Sequence, residues 1–326
     1  MILITGGAGF IGSNLQAALS DRGLETIVVD WLGDTGKWRN LGKHPPSRIV
    51  PPEQLDDLLA SNLPIRMVFH LGAVSATTAT DADHTWATNV ELSLKLWNWC
   101  AARDVRFVYA SSAATYGNGA QGFEDDDSLA HLNTLHPLNL YGWTKHAFDL
   151  AIARRLAAGQ PRPPQWAGLK FFNVYGPNEY HKGSMISVVK VKYDELAKGL
   201  PVRLFRSDQP DLADGQQKRD FIWVGDVVDV MLWLLDTPGV NGLFNVGTGQ
   251  ARSYLDLAHA VCDAANRPRT IEFIDMPANL RGQYQSFTEA SPARLRAAGY
   301  NGQFTPLEVG IRRYVQDYLI QTDTYR

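Results

Sequence analysis

Tyr141 and Lys145, in the stretch YGWTK, stand four residues apart at the head of a run in which Phe148, Leu150, Ile152 and Leu156 recur at roughly helical intervals. On a helix, positions i and i+4 share a face, so a phenol and an ammonium there point to one place. A neighbouring positive charge favours the ionised phenol, and such a phenol can take the proton of an alcohol. Upstream, the stretch SSAATYG (Ser111 to Gly117) follows the apolar run VRFVYA. That puts hydroxyls at the C-terminal end of an internal strand, where open α/β sheets bind ligands. A serine hydroxyl, Tyr141 and Lys145 together suit the oxidation of an alcohol, with the hydride passed to a nicotinamide.

Such a set needs a scaffold, and the first half of the chain supplies its signals. ILIT reads as a strand, GGAGFIG as a turn, and SNLQAALSDRG as an amphipathic helix closed by Gly23. TIVVD, RMVFH and VRFVYAS read as further strands, with a helix around VELSLKLWNWCAAR. This alternation predicts an α/β fold with a Rossmann-type, doubly wound parallel sheet and helices on both faces. Gly6, Gly9 and Gly12 between strand and helix allow a tight turn and let a pyrophosphate approach the helix N-terminus. Asp30, at the end of the next strand, is placed for the adenosine ribose hydroxyls, which favours NAD. Lys37 could instead neutralise a 2′-phosphate, which favours NADP, with Arg39 as a second candidate. Trp31 could stack beside the adenine. These residues leave NADP against NAD open.

The bulk numbers exclude several classes. With 326 residues, 45% hydrophobic and 20% charged, the chain is an ordinary globular protein of one large or two smaller domains. We expect a dinucleotide-binding part at residues 1–168, with later segments returning to it, and a smaller C-terminal α/β substrate part at residues 169–326. A net charge of −3 gives no footprint for nucleic acid or an anionic membrane. No apolar segment reaches the roughly eighteen residues that suggest a membrane span. Cys100 and Cys262 read as buried free thiols in a reducing, cytoplasmic setting. The acidic run Glu124 to Asp127 reads as solvated loop charge, and the histidines show no ligand spacing, so no metal site is expected.

TGGAGFIG, YASSAATYG and YGWTK together resemble the extended short-chain dehydrogenase/reductase superfamily, and the likeness runs essentially from end to end. Ser112, rather than Ser111, matches that superfamily's catalytic serine. Ala113 and Ala114 stand where its dehydratases carry an acidic pair, which argues against dehydration. The segments LKFFNVYGPNEYHKGSM and GQYQSFTEASPARLRAAGY are similar to the ADP-L-glycero-D-manno-heptose 6-epimerases. That resemblance implies inversion at C6 of an ADP-linked heptose, through a 6-ketone and bound NADP, in lipopolysaccharide core precursor synthesis. A 4-epimerase or reductase acting on another nucleotide sugar is the competing reading.

The same resemblance implies site residues. Lys182, in HKGSM, matches the second acid/base beside Tyr141, Lys145 and Ser112. Phe10, Ile11, Asp30, Trp31 and Lys37 match cofactor positions. So do Leu71, Gly72, Ala73, Val74 and Ser75 at a strand end, together with Asn89, Lys145 and Val174. Asn173, Ser184, Phe205, Arg219 and Tyr284 match substrate contacts. Val191, where relatives carry histidine, and a long segment at 206–218 depart from the pattern. The resemblance further implies a homo-oligomer, a homopentamer by its nearest likeness.

Overall fold

The structure, a computed structural model, describes residues 1–277 and 287–326. Twelve strands are formed in this range. They are β1 (Ile2–Thr5), β2 (Thr26–Val29), β3 (Arg48–Val50), β4 (Met67–His70), β5 (Arg106–Ser112) and β6 (Trp166–Phe171). After them come β7 (Asn173–Tyr175), β8 (Val202–Phe205), β9 (Lys218–Trp223), β10 (Gly242–Val246), β11 (Ala251–Ser253) and β12 (Ile271–Ile274).

Seven strands form one parallel sheet in the order β10-β6-β5-β4-β1-β2-β3. Parallel strands covered on both faces must be apolar on both, which is why ILIT, TIVV and MVFH are nearly unbroken hydrophobic runs. Alternate residues feed opposite cores. Ile2, Ile4, Met67 and Phe69 join one cluster, with Leu15 and Leu19 of helix Phe10–Asp21 and Val227 and Met231 of helix Val224–Asp236. Leu3, Val68, Phe107 and Tyr109 join the other, with Leu96 and Trp97 of helix Leu92–Ala102 and Phe148 and Ile152 of helix Leu140–Ala157.

After β6 the chain builds two smaller sheets, β11-β9-β7 and β12-β8, around a third cluster that includes Val189, Leu204, Phe221, Leu257 and Tyr314. Helix Val224–Asp236 and strand β10 then return to the large sheet. Among the described residues no helix is long and apolar enough to cross a membrane. Cys100 and Cys262 are both free and buried.

The acidic run differs from expectation. Asp125 is buried and accepts a 2.8 Å bond from the Asn245 amide of β10, while Asp127 pairs with Arg294 at 2.5 Å. These charges clamp a loop to the sheet edge, so only part of the run is solvated. Among the described residues no cluster of His, Cys, Asp or Glu is placed to hold a metal ion.

Candidate active site

A cleft of about 720 Å³ opens at the C-terminal ends of β1, β4, β5 and β6, the end at which open α/β sheets bind ligands. Its floor is the glycine turn. Gly6 takes φ +68°, and a Cβ there would fall 2.5 Å from the Gly72 amide nitrogen beyond β4. At Gly12 a Cβ would fall 2.2 Å from the Gly6 carbonyl oxygen, so only glycine lets the helix start against the turn. Gly9 caps that helix without a side-chain bond, which leaves first-turn N–H groups for an anion. Asp30 accepts from the Ala8 amide at 2.9 Å through one oxygen and from Lys37 at 2.7 Å through the other. A backbone cradle with no room for side chains and a carboxylate at the strand end fits a dinucleotide.

The strand exit beyond β4 is held from behind. Asn89 is buried, accepts from the Val74 amide at 2.8 Å, and donates to the Val74 carbonyl and to Thr144 Oγ1, both at 3.0 Å. It sits in a π-helical turn, Ala87–Glu91, an irregularity frequent at functional sites. Asn89 therefore reaches the cleft through Val74, and it ties that exit to the helix bearing Tyr141 and Lys145. At the exit itself Leu71, Gly72, Ala73, Val74 and Ser75 all line the cleft, as do Phe10, Ile11 and Val174.

Helix Leu140–Ala157 begins at Asn139, whose side chain accepts from the Gly142 amide at 2.9 Å. A Cβ on Gly142 would lie 2.7 Å from the Ala114 carbonyl oxygen, so this glycine brings the helix start down onto the turn after Ser112. The Tyr141 phenol is half-buried there and shares the cleft with the Ser112 hydroxyl. Burial pushes the phenol above its ordinary pKa, and the Ser112 hydroxyl pulls it back. Lys145, one turn along, donates to the Ala110 carbonyl at 2.8 Å. Burial pushes its ammonium down to about 8, with Asp149 on the same helix face opposing. A phenol with a serine hydroxyl in the same cleft and a lysine poised near neutrality one turn along can pass a proton to or from an alcohol.

Lys182 enters the cleft from the loop after β7, its ammonium 5.2 Å from the centre of the Phe10 ring. Asn173 and Ser184 line the same cleft. Four expected residues lie elsewhere or cannot be placed. The Trp31 indole donates to Glu53 at 2.7 Å and is half exposed, outside the cleft walls. Phe205 ends β8 beside Ile274. Arg219 lies in β9, buried, with its guanidinium 5.8 Å from the Tyr254 ring. Tyr284 is outside the described residues. Of the departures, Val191 is an exposed position on helix Val188–Ala197 and is absent from the cleft lining. The 206–218 segment is folded on itself by bonds from the Ser207 amide to Asp214 and from Gln209 to Ser207.

Residues 2–247 match the NAD dependent epimerase/dehydratase family. The chain belongs to that family. It is 50% identical, over the full length of both chains, to the ADP-L-glycero-D-manno-heptose-6-epimerase of Nitratidesulfovibrio vulgaris strain DP4. Among solved structures it resembles the ADP-L-glycero-D-manno-heptose-6-epimerase of Helicobacter pylori, with TM-score 0.79 and 26% identity over 97% of this chain and 95% of that one. The UDP-glucose 4-epimerase of Thermus thermophilus, solved with NAD, gives TM-score 0.75 and 28% identity over 96% of this chain and 97% of that one. A nicotinamide cofactor is thus a property of this epimerase/dehydratase-family chain, and the glycine cradle fits it.

Sequence reasoning missed three charged or titratable features in and around the cleft. His181 lines the cleft; burial pushes its imidazole down to about 4, with Lys37 and Lys182 adding to the effect. Glu179, completely buried, lies behind Lys182. Asp149, on the helix of Tyr141, and Lys170, on β6, form a fully buried pair at 2.8 Å. The segment NEYHK showed Lys182 by likeness, but nothing local marked which neighbours would be buried with it.

Proposed function

We propose that the chain inverts C6 of the heptose in ADP-glycero-manno-heptose, by transient oxidation to the 6-ketone. What carries the reading is the placing of Tyr141 and Lys182, two groups able to exchange protons, in one cleft of an epimerase-family chain half identical to named heptose epimerases. The bound nicotinamide supplies the hydride acceptor and donor. The remaining work falls to side chains. Tyr141 takes the C6 hydroxyl proton of one epimer, and Ser112 hydrogen-bonds the same oxygen. Lys145 places positive charge beside the phenol and reaches the ribose of the cofactor. When the ketone presents its other face, Lys182 handles the proton of the new hydroxyl. Residues 1–168 hold mainly the cofactor, and residues 169–326 mainly the nucleotide sugar, with Asn173 and Ser184 nearest the sugar.

The test is proton NMR of the purified protein with ADP-D-glycero-D-manno-heptose and no added nucleotide. The L-glycero signals are expected, from cofactor that travels with the protein and is regenerated each cycle. A spectrum unchanged even after NADP⁺ and then NAD⁺ are added overturns the reading. Lys182→Met should abolish inversion, by at least about a hundredfold for a lost acid/base. Full activity in that variant would reduce Lys182 to a wall residue.

For the cofactor we favour NADP, because Lys37 lies 2.7 Å from Asp30 and can turn its charge to a 2′-phosphate. Lys37→Ala should weaken NADP⁺ binding by about tenfold to a hundredfold, as expected for one charge-assisted bond, and leave NAD⁺ nearly unchanged. Titration calorimetry with both nucleotides decides it, and equal losses would count against the preference.

A further inference from the structure

Glu179 is completely buried in the loop that carries Lys182. Three donors converge on its carboxyl: the Ser187 amide at 2.7 Å, the Ser187 hydroxyl at 2.6 Å and the Tyr314 hydroxyl at 2.9 Å. Charge-assisted bonds of this kind belong to an ionised carboxylate, which only accepts. A buried charge needs compensation. Lys182 lies three residues on, joined through a turn in which its amide donates to the Glu179 carbonyl at 3.1 Å. The ammonium is directed into the cleft over the Phe10 ring, so the carboxylate acts on it through the field and leaves it available to substrate.

The other charged groups around this loop are occupied. Lys190, on helix Val188–Ala197, pairs with Asp194 at 2.5 Å, and Lys37 pairs with Asp30 at 2.7 Å. His181, next to Lys182, carries no charge near neutral pH, since burial pushes it to about 4. Tyr180 and Tyr314, behind Glu179, are both pushed above the ordinary phenol range by burial. Helix Phe10–Asp21 sets the apolar Phe10 ring against the ammonium.

We propose that Glu179 is a positioning residue for the second acid/base: its buried carboxylate holds Lys182 as an ammonium in the cleft and thereby sets the pH range in which that lysine donates. The proposal rests on the assignment of Lys182 made above. The electrostatics run the same way. Burial pushes the Lys182 ammonium down, and Glu179 is the group that opposes it. Burial likewise pushes Glu179 up, and Ser187, Lys182 and Tyr314 hold it back.

Glu179→Gln keeps the shape and removes the charge. In the direction in which Lys182 donates, activity falls as pH rises through the lysine pKa. Loss of the carboxylate lowers that pKa, so the alkaline limb should move down by about one pH unit or more. Melting temperature and bound nucleotide are measured on the same preparation. An inactive Lys182→Met beside an unmoved limb in folded Glu179→Gln overturns the proposal alone. A fully active Lys182→Met overturns the assignment beneath it as well. Should Glu179→Gln fail to fold, Glu179→Asp serves, since it keeps the charge but draws it back by one methylene. The alkaline limb should then move down by about a few tenths of a pH unit, and an unmoved limb overturns the proposal.

Discussion

Replacing Tyr141 by phenylalanine lowers the rate of epimerisation by about a hundredfold to ten-thousandfold, the span typical of a lost general acid/base, while fold and cofactor binding persist. The ring fills the same half-buried space, so packing is little changed. What disappears is the hydroxyl that shares the cleft with Ser112 and would exchange the substrate proton. Lys145, which donates to the Ala110 carbonyl and needs nothing from the phenol to stay in place, should still take part in holding the ribose. Single-turnover hydride transfer, followed by nicotinamide absorbance alongside a binding titration, separates the two effects. A variant that turns over within a few-fold of the parent would remove Tyr141 from the chemistry.

Lys170→Met should destabilise the protein by about 3–5 kcal/mol, the cost of leaving one member of a buried ion pair alone. Both side chains of the Lys170–Asp149 pair are fully buried. Asp149 would keep hydroxyl donors, Tyr109 at 2.9 Å and Ser111 at 2.7 Å, but lose the one cation in ion-pair contact with it among the described residues. Thr115 would lose the ammonium that donates to its hydroxyl at 2.7 Å. Methionine fills the stem's volume, so the loss reports charge and not a cavity. The readout is the urea midpoint at unchanged slope. A deficit below about 1 kcal/mol, the range of an exposed pair, would show that the interior there tolerates a lone carboxylate. Because Asp149 lies on the face of Tyr141 and Lys145, activity per folded molecule should also fall. Adding Asp149→Asn should recover part of the stability.

Much of this protein was legible along the chain because the features are local. A glycine turn between an apolar strand and a helix follows from steric rules acting over a few residues. The i, i+4 spacing of Tyr141 and Lys145 places both on one helical face before anything about the fold is known. The doubly wound sheet followed from alternating strand and helix signals, since strands covered on both faces must be apolar throughout. Resemblance in HKGSM singled out Lys182, which does line the cleft.

Other features depended on contacts between distant segments. Asp125 looked like loop charge until packing set it under the amide of Asn245. Trp31 looked like an adenine platform, but its indole found Glu53 instead. Glu179 meets Tyr314 from the far end of the chain, and Lys170 meets Asp149 from the neighbouring strand. The sequence by itself determined the sheet, the phosphate cradle and the paired phenol and lysine, because backbone sterics and side-chain periodicity act within a turn or a strand. Only the tertiary structure decided which charges are buried, what compensates them, and that Lys182 shares a cleft with Tyr141. A charge taken out of water is answered by whatever partner packing brings to it, and no local spacing names that partner.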